Sequence, residues 1–232
     1  MRWTNSTLSR RRSFCALALL AAAATLAAAQ VPSAPTARFV VVLDAAHGGD
    51  DPGARLSSGQ SEKNFTLALS IRLRSLLAAR GISVVTTRES DATLDPNRRA
   101  EIANHANAQA CISLHAAESG SGIHLFASSL PPAEPARFAP WKTAQAAWIT
   151  RSLALAGVLN SALLHSGSAV TLGRTSLPAV DSMTCPAVAV EVAPERAAGK
   201  PKSALSDPSY QTRVATALAA ALLEWRNEAR QP

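Results

Sequence analysis

Four polar side chains have residue types that suit metal binding and acid–base chemistry: His47, Glu62, His115 and Glu191. Two neutral imidazoles and one carboxylate form a known catalytic zinc set, whose fourth position stays open for water. The metal lowers the pKa of that water to about 7 and polarises a substrate carbonyl. A nearby glutamate can accept the proton and return it to a leaving nitrogen. Glu191 suits that role because a carboxylate inside an apolar strand is costly to bury without a partner or a metal.

Each of these residues also has an ordinary structural explanation. A histidine in a strand–helix loop is more often hydrogen-bonded than metal-bound. A glutamate at the start of a helix interacts favourably with the positive end of the helix dipole. A glutamate at a strand end can pair with an arginine. Among the other histidines, we expect His105 at the surface, His165 near a helix C-terminus, and His124 within a strand from which it can approach the site. The placement of all four candidates at one sheet edge weakens these explanations without removing them.

The elements that must position the candidates follow a strand–helix–strand–helix–strand pattern. The β-branched run RFVVVLD is typical of a strand buried on both faces, and a glycine stands just past the end of the first helix. This alternation predicts a parallel sheet with right-handed crossovers, with elements at 38–44, 62–80, 82–87, 97–108 and 110–114. Since working groups gather at the carboxyl ends of such strands, His47 and His115 should lie at one edge, with Glu62 facing them.

The remaining chain continues the same class of fold. Further strands are predicted at 122–127 and 186–192, helices at 143–165 and 207–230, and a proline- and alanine-rich loop at 129–140. We find no internal repeat. The sequence therefore predicts a single α/β domain over 38–230, with a mostly parallel mixed sheet flanked by helices on both faces.

Residues 1–29 have the features of an export signal and are excluded from the predicted domain. Four arginines precede the apolar run 14–26, and Ala27-Ala28-Ala29 has the small-residue form of a cleavage site. The run is shorter than the roughly 20 residues that span a bilayer. We therefore expect cleavage rather than an uncleaved anchor, and no stable membrane span afterwards. Arg11-Arg12-Ser13-Phe14 also fits a twin-arginine signal, with an ordinary signal as the alternative, and 30–37 is a predicted linker.

The net charge of the predicted mature chain does not indicate nucleic-acid binding. Residues 1–29 contain four arginines and no acidic residue, so their removal lowers the formal net charge from +7 to +3. We find no basic stripe with interleaved aromatic residues. A mild positive charge suits an anionic polymer such as a cell wall, but only weakly.

Only two cysteines, Cys111 and Cys185, follow the export signal. An exported protein folds in an oxidising compartment, where a disulfide can form. Two cysteines are not a disulfide framework, however, and their separation does not resemble a zinc ribbon. We therefore expect two buried, unpaired thiols.

A series of motifs between Arg38 and about Phe126 has a distinctive order and spacing, and a looser match continues to the C-terminus. Its residues are Asp44, His47, Gly48, Gly49, Asp51, Gly53-Ala54, Glu62-Lys63, Thr87-Arg88, Arg98 or Arg99, Ala103-Asn104 and Ser113-Leu114-His115-Ala116. In this order the motifs resemble the zinc-dependent N-acetylmuramoyl-L-alanine amidases of bacterial cell walls. That family reads D-x-G-H-G-G-x-D-x-G-A after its first strand and carries its second histidine in Ser-x-His-Ala.

The resemblance implies a Zn²⁺ site and a reaction. His47, Glu62 and His115 would be the zinc ligands, and Glu191 would be the catalytic glutamate. The reaction would be hydrolysis of the amide between N-acetylmuramic acid and L-alanine in peptidoglycan. It would take place in the periplasm or outside the cell, during wall remodelling or daughter-cell separation. A protein activator is a candidate partner.

Departures from the family pattern bear on substrate fit. Ala46 replaces a glycine, Ala117 replaces an asparagine, Val192-Ala193-Pro194 replaces Gly-Phe-Leu, and Glu195 is a second acid near Glu191. Two alternatives therefore stay open: a zinc peptidase or other amide hydrolase of different bond specificity on the same scaffold, and a non-catalytic wall-binding domain. The segments expected to form the walls of the substrate groove are 128–141 and 174–186.

Overall fold

The computed structural model describes residues 38–135, 140–198 and 200–229. The predicted export signal and linker lie outside these residues. The described strands are β1 (Val40–Ala45), β2 (Ser83–Thr86), β3 (Ala110–Ala116), β4 (Ile123–Ser128), β5 (Val170–Thr175), β6 (Ala187–Val192), β7 (Glu195–Ala197) and β8 (Lys200–Ser203). The helices are α1 (Glu62–Ala78), α2 (Pro96–His105), α3 (Ile149–His165), α4 (Pro178–Asp181) and α5 (Pro208–Glu228). A 3₁₀ helix at Trp141–Trp148 precedes α3.

Six of the strands form one sheet, in the order β2-β1-β3-β6-β4-β5. Neighbouring strands run parallel except β4 and β6, which are antiparallel. The predicted mostly parallel mixed sheet is therefore confirmed. This order brings the carboxyl ends of β1, β3 and β6 side by side and places the start of β4 next to them, so one edge of the sheet can gather groups from four strands.

Helices cover both faces of the sheet, because alternate side chains of its buried strands point to opposite sides. One face packs against α1, α3 and α5 in a large apolar core, in which Leu73, Leu159 and Leu218 are fully buried. The other face carries a smaller core that includes Val42 of β1 and Val180 of α4.

The predicted helix at 143–165 is divided in the structure. Residues 141–148 form the 3₁₀ helix, and the α-helix begins at Ile149. Within the described residues, Trp141–His165 is the one helical stretch long and apolar enough to cross a membrane by length and composition. Leu155 and Leu163 on this stretch are fully buried in the domain, so we interpret it as a core helix of the α/β domain.

The sequence pattern did not predict β5, β7 or β8. The β5 sequence, VTLGRT, contains Gly173, and its side chains are mostly exposed at the edge of the sheet. It therefore lacks both the continuous apolar run of a buried strand and the regular alternation of a half-buried one. The β7–β8 pair is short and includes a register shift next to Glu195, which hides its period-two pattern.

Cys111 and Cys185 form a disulfide, so the prediction of two unpaired thiols is wrong. Cys111 lies opposite Ala187 of β6, and Cys185 precedes that residue by two positions. The two cysteines are 74 residues apart in the sequence, and the pairing of β3 with β6 brings them together. Both side chains are buried, where they join β3 to the segment that leads into β6.

We expect the double variant Cys111→Ala/Cys185→Ala to lose about 2–5 kcal/mol of unfolding free energy, because the disulfide restricts the unfolded chain across a long loop. Urea unfolding followed by circular dichroism measures the loss. Dithiothreitol should produce a similar loss in the wild-type protein and none in the double variant. Equal stability of the oxidised wild-type protein and the double variant would contradict the disulfide.

Candidate metal centre

The turn after β1 places His47 at the carboxyl edge of the sheet. His47 has a φ of 61°, a left-handed conformation that costs a non-glycine residue about 1–3 kcal/mol. Two buried arginines hold the turn through its carbonyl groups. Arg88 donates hydrogen bonds to the carbonyls of Ala45 (2.9 Å) and Ala46 (3.1 Å). Arg99 donates to the carbonyl of His47 itself (2.6 Å). The two arginines together therefore hold the carbonyls of His47 and of the two residues before it.

Arg99 is held in turn by Asp44 at the end of β1. Their ion pair is 2.7 Å long, and the two residues are only 5% and 1% exposed. Asp44 also accepts hydrogen bonds from the hydroxyls of Thr87 and Ser113, each at 2.8 Å. Such full hydrogen bonding offsets the cost of burying two charges. The motif comparison left Arg98 and Arg99 as alternatives; the structure places Arg99 in the site and Arg98 at the surface.

His47, Glu62 and His115 converge, with one potential ligand atom of each lying within 4.8 Å of the others. Glu62 lies between the two imidazoles: its Oε2 is 3.2 Å from His47 Nε2, and its Oε1 is 3.2 Å from His115 Nδ1. The backbone N–H groups of Ala54 and Ala116 donate to the same carboxylate at 2.9 and 3.1 Å. The structure therefore brings together the three residues that the sequence predicts as metal ligands.

Asp51 and Gly53 orient His47 toward Glu62. The carboxylate of Asp51 lies 2.7 Å from His47 Nδ1 and can only accept, so Nδ1 carries the proton and Nε2 faces Glu62. A carboxylate behind a histidine in this way is the usual partner of a metal-binding imidazole. Gly53 has a φ of +64°, and a Cβ there would lie 2.7 Å from both Glu62 Oε2 and His47 Cδ2. A side chain at this position would therefore push Glu62 and His47 apart.

Hydrogen bonding shifts the pKa values of His47 and Glu62 and so sets their charges. The hydrogen bond with Glu62 raises the pKa of His47 to about 8, against the lowering effect of burial, and Asp51 adds to the rise. Burial alone would raise the pKa of Glu62, but hydrogen bonds from His115, His47 and two backbone N–H groups hold that pKa well below its usual range. Glu62 is therefore a carboxylate at neutral pH, and His47 must release a proton before it can bind a metal.

Glu191 lies on the strand next to this set. It is opposite His115 of β3 and, on its other side, opposite His124 of β4. Cross-strand partners face the same side of a sheet, so these three side chains form a polar row. His124 Nδ1 is 2.9 Å from Glu191 Oε1, a contact that the sequence indicated only as an approach of His124 to the site. Glu195, the second nearby acid, is buried and paired with Arg213 at 2.6 Å.

The other two histidines lie outside the site. His105 and His165 are exposed, and each ring bonds a carbonyl one turn back in its own helix, that of Glu101 or Ser161. Both are in the last turn of their helices. Their positions agree with the surface and helix-terminus roles expected from the sequence.

A cavity of about 260 Å³ opens beside His47 and His115. The buried residues on its polar side, Asp44, Arg99 and Ser113, already bond to one another. The rest of its lining is largely apolar and includes Leu94, Pro96, Leu177, Pro178, Ala179 and Val180. The predicted groove segment 174–186 therefore contributes to this cavity, whereas no described residue of 128–141 lines it. The cavity suits a small apolar group, because its polar side chains already use most of their hydrogen-bonding capacity on one another.

A family model for N-acetylmuramoyl-L-alanine amidase matches residues 41–224. The chain belongs to this amidase family. N-acetylmuramoyl-L-alanine amidase AmiA of Escherichia coli K12 is 42% identical over 77 residues, which are 33% of this chain and 27% of AmiA. N-acetylmuramoyl-L-alanine amidase Rv3717 of Mycobacterium tuberculosis is 29% identical over 201 residues, which are 75% of this chain and 82% of Rv3717.

Solved amidase structures share the fold. The catalytic domain of CwlV, an N-acetylmuramoyl-L-alanine amidase from Bacillus (Paenibacillus) polymyxa var. colistinus, has a TM-score of 0.64 at 28% identity, covering 82% of this chain and 98% of that domain. The chain spans about a quarter of the length of AmiA and most of Rv3717. The family and the fold predicted from the motifs are thereby confirmed.

In this amidase-family chain, we expect Arg99→Ala to destabilise the fold by about 3–5 kcal/mol, because it leaves the buried Asp44 without its counter-charge. It should also lower zinc affinity, since the turn that presents His47 loses a hydrogen bond. The matched control is Arg98→Ala, whose exposed pair with Glu101 contributes at most about 1 kcal/mol. Urea unfolding and zinc content measure both effects. An Arg99→Ala protein as stable as Arg98→Ala would contradict the role assigned to Asp44 and Arg99.

We also expect zinc affinity to fall as the pH falls below about 8. A metal-bound imidazole must be neutral, and the pKa of His47 is raised to about 8, so protons compete with zinc at neutral pH. Each pH unit below that value should weaken binding about tenfold through His47 alone. Competition titrations with a chromophoric chelator at several pH values measure the dependence. Constant affinity between pH 8 and pH 7 would contradict the raised pKa.

Proposed function

We propose that this protein is a zinc-dependent N-acetylmuramoyl-L-alanine amidase, which hydrolyses the amide between N-acetylmuramic acid and L-alanine in peptidoglycan. The observation that carries the proposal is the convergence of ligand atoms from His47, Glu62 and His115 within 4.8 Å, with Glu191 on the adjacent strand. Membership of the amidase family and the names of its relatives support the choice of bond.

The donor set fits zinc. Catalytic zinc takes two imidazole nitrogens and one carboxylate oxygen as protein ligands and keeps one position open, whereas calcium and magnesium favour oxygen ligands. The side chains of His47 and His115 are 25% and 30% exposed, and that of Glu62 only 6%, so the set opens on the side of the two imidazoles. Bound zinc polarises a substrate carbonyl and lowers the pKa of water to about 7.

The protein's own groups orient the ligands and move the proton. Asp51 keeps the proton of His47 on Nδ1, so Nε2 faces the site. Two backbone N–H groups fix the carboxylate of Glu62 between the imidazoles. Glu191 accepts a proton from the attacking water and donates it to the leaving amide nitrogen, which departs as the amine of the stem peptide. The neighbouring cavity holds a small apolar group of the substrate, such as a methyl group beside the scissile bond.

The proposed substrate places the protein in the periplasm or outside the cell. The predicted signal at 1–29 provides the export route, and the net charge of +3 after its removal suits an anionic wall polymer. Wall remodelling or daughter-cell separation is the corresponding process. A protein activator remains a prediction. Measuring the activity of the purified protein without any added protein tests whether an activator is needed.

We expect Glu191→Gln to lower hydrolysis by about 100- to 10,000-fold, because the amide cannot act as the base. The variant should still bind about one zinc per chain, since Glu191 is not in the ligand set. The matched control is Glu224→Gln, on the exposed side of α5, which should retain wild-type activity and zinc. Hydrolysis of purified peptidoglycan and metal analysis measure the two properties. Full activity of Glu191→Gln would move the base to another residue.

Mass analysis of the peptidoglycan fragments tests the bond that is cut. Free stem peptides that begin with L-alanine are the expected products of an amidase. Cuts within the stem peptide would favour the zinc peptidase instead. If the purified protein binds zinc but releases no fragment, the result would favour the wall-binding domain or a requirement for an activator.

A further inference from the structure

In the polar row of His115, Glu191 and His124, His124 is the histidine to which the proposed reaction assigns no role. It lies in β4, and its Cα is paired with that of Glu191 in β6, which is paired in turn with that of His115 in β3. The antiparallel pairing of β4 with β6 brings a residue near the start of β4 to the edge where the parallel strands end. The sheet register thus carries His124 to the side of Glu191 that faces away from the zinc ligands.

The hydrogen bond between the two side chains has a defined direction. His124 Nδ1 lies 2.9 Å from Glu191 Oε1, and an ionised carboxylate can only accept, so the imidazole donates through Nδ1–H. Among residues 38–135, 140–198 and 200–229, no other protein group hydrogen-bonds either side chain. One carboxylate oxygen of Glu191 is therefore held, and the other is left for water or substrate.

The imidazole ring is itself fixed in place. The side chain of His124 is only 17% exposed, and its ring packs edge-on against Phe126, with centroids 6.4 Å apart. The backbone of Gly120 lies against the Cε1–Nε2 edge of the ring: a Cβ there would lie 2.3 Å from Cε1 and 2.8 Å from Nε2. Gly120 also has a φ of +85°, so this close cover depends on glycine at that position.

Glu191, by contrast, has no second hydrogen-bond partner among the described residues to restrict its rotamers. Its side chain is 30% exposed, and a glutamate has three rotatable side-chain bonds, which stay mobile unless a partner restricts them. A base acts only when its oxygen is within hydrogen-bond reach of the proton that it accepts. A fixed donor on one oxygen aims the other oxygen, in the way that partners of metal ligands orient those ligands.

We propose that His124 is a positioning residue for Glu191: its Nδ1–H holds one carboxylate oxygen so that the other meets the water and the leaving nitrogen. The proposal rests on the role of Glu191 in the proposed function. His124 touches neither substrate nor zinc in this role and acts through Glu191. Its loss therefore affects the rate of the chemical step and leaves substrate binding and zinc binding in place.

Two substitutions of His124 separate positioning from simple packing. His124→Leu keeps the apolar contacts and removes the donor, whereas His124→Asn places an amide N–H close to the position of Nδ1. We expect His124→Leu to lower kcat for peptidoglycan hydrolysis about 10- to 100-fold, with KM within about twofold and one zinc per chain. His124→Asn should recover most of kcat. The matched control His165→Leu, at an exposed histidine of α3, should equal the wild-type protein.

A wild-type kcat in His124→Leu, or a His124→Asn variant as slow as His124→Leu, would overturn the proposal. A spectroscopic measurement decides it without reference to activity or to the folding of these variants. In ¹⁵N NMR spectra of the zinc-loaded wild-type protein, the His124 ring should carry its proton on Nδ1, and Glu191→Ala should remove that preference. A bare Nδ1 in the wild-type protein would overturn the proposal. A wild-type protein that hydrolyses no peptidoglycan would count against the proposed function and not against the hydrogen bond, because the NMR spectra test the hydrogen bond directly.

Discussion

The buried ion pair between Asp44 and Arg99 is the interaction on which the site depends. It joins the end of β1 to α2, and through Ser113 it also reaches β3. From this position Arg99 binds the carbonyl of His47, while Arg88 binds the two carbonyls before it. A histidine with a positive φ needs such support, because its conformation is unfavourable by itself. The same contacts that stabilise the fold thus set the direction of His47, the first of the proposed zinc ligands.

The sheet register positions the other polar groups. His115, Glu191 and His124 lie opposite one another on three neighbouring strands, so their spacing is that of the sheet and needs no special loop. Glu62 reaches the same point from the start of α1 and is fixed by two backbone N–H groups. A carboxylate contacts each of the three imidazoles: Asp51 and Glu62 contact His47, Glu62 contacts His115, and Glu191 contacts His124. This alternation of acids and imidazoles suits a site that must bind a cation and move a proton.

Local signals in the sequence were sufficient to predict much of this arrangement. The run before Asp44 indicates a buried strand, Glu62 opens a periodic helix, and both histidines follow strands, so their common edge follows from a parallel sheet. The disulfide between Cys111 and Cys185 was not predictable in this way, because it depends on which strands are neighbours. The same holds for His124: its contact with Glu191 requires β4 to run antiparallel to β6 and in one register. The choice of Arg99 over Arg98 depends on which face of a helix is buried, and that face is set by Asp44.

We propose that His47, Glu62 and His115 bind one zinc ion together. Anomalous diffraction from crystals of the zinc-loaded protein, collected on both sides of the zinc absorption edge, tests it most directly. We expect one strong zinc peak within bonding distance of all three side chains, about 2.0–2.2 Å from each, with Glu191 nearby but not bonded to the metal. A zinc peak elsewhere, or one that leaves either histidine or Glu62 unbound, would show that these three residues do not form the zinc site.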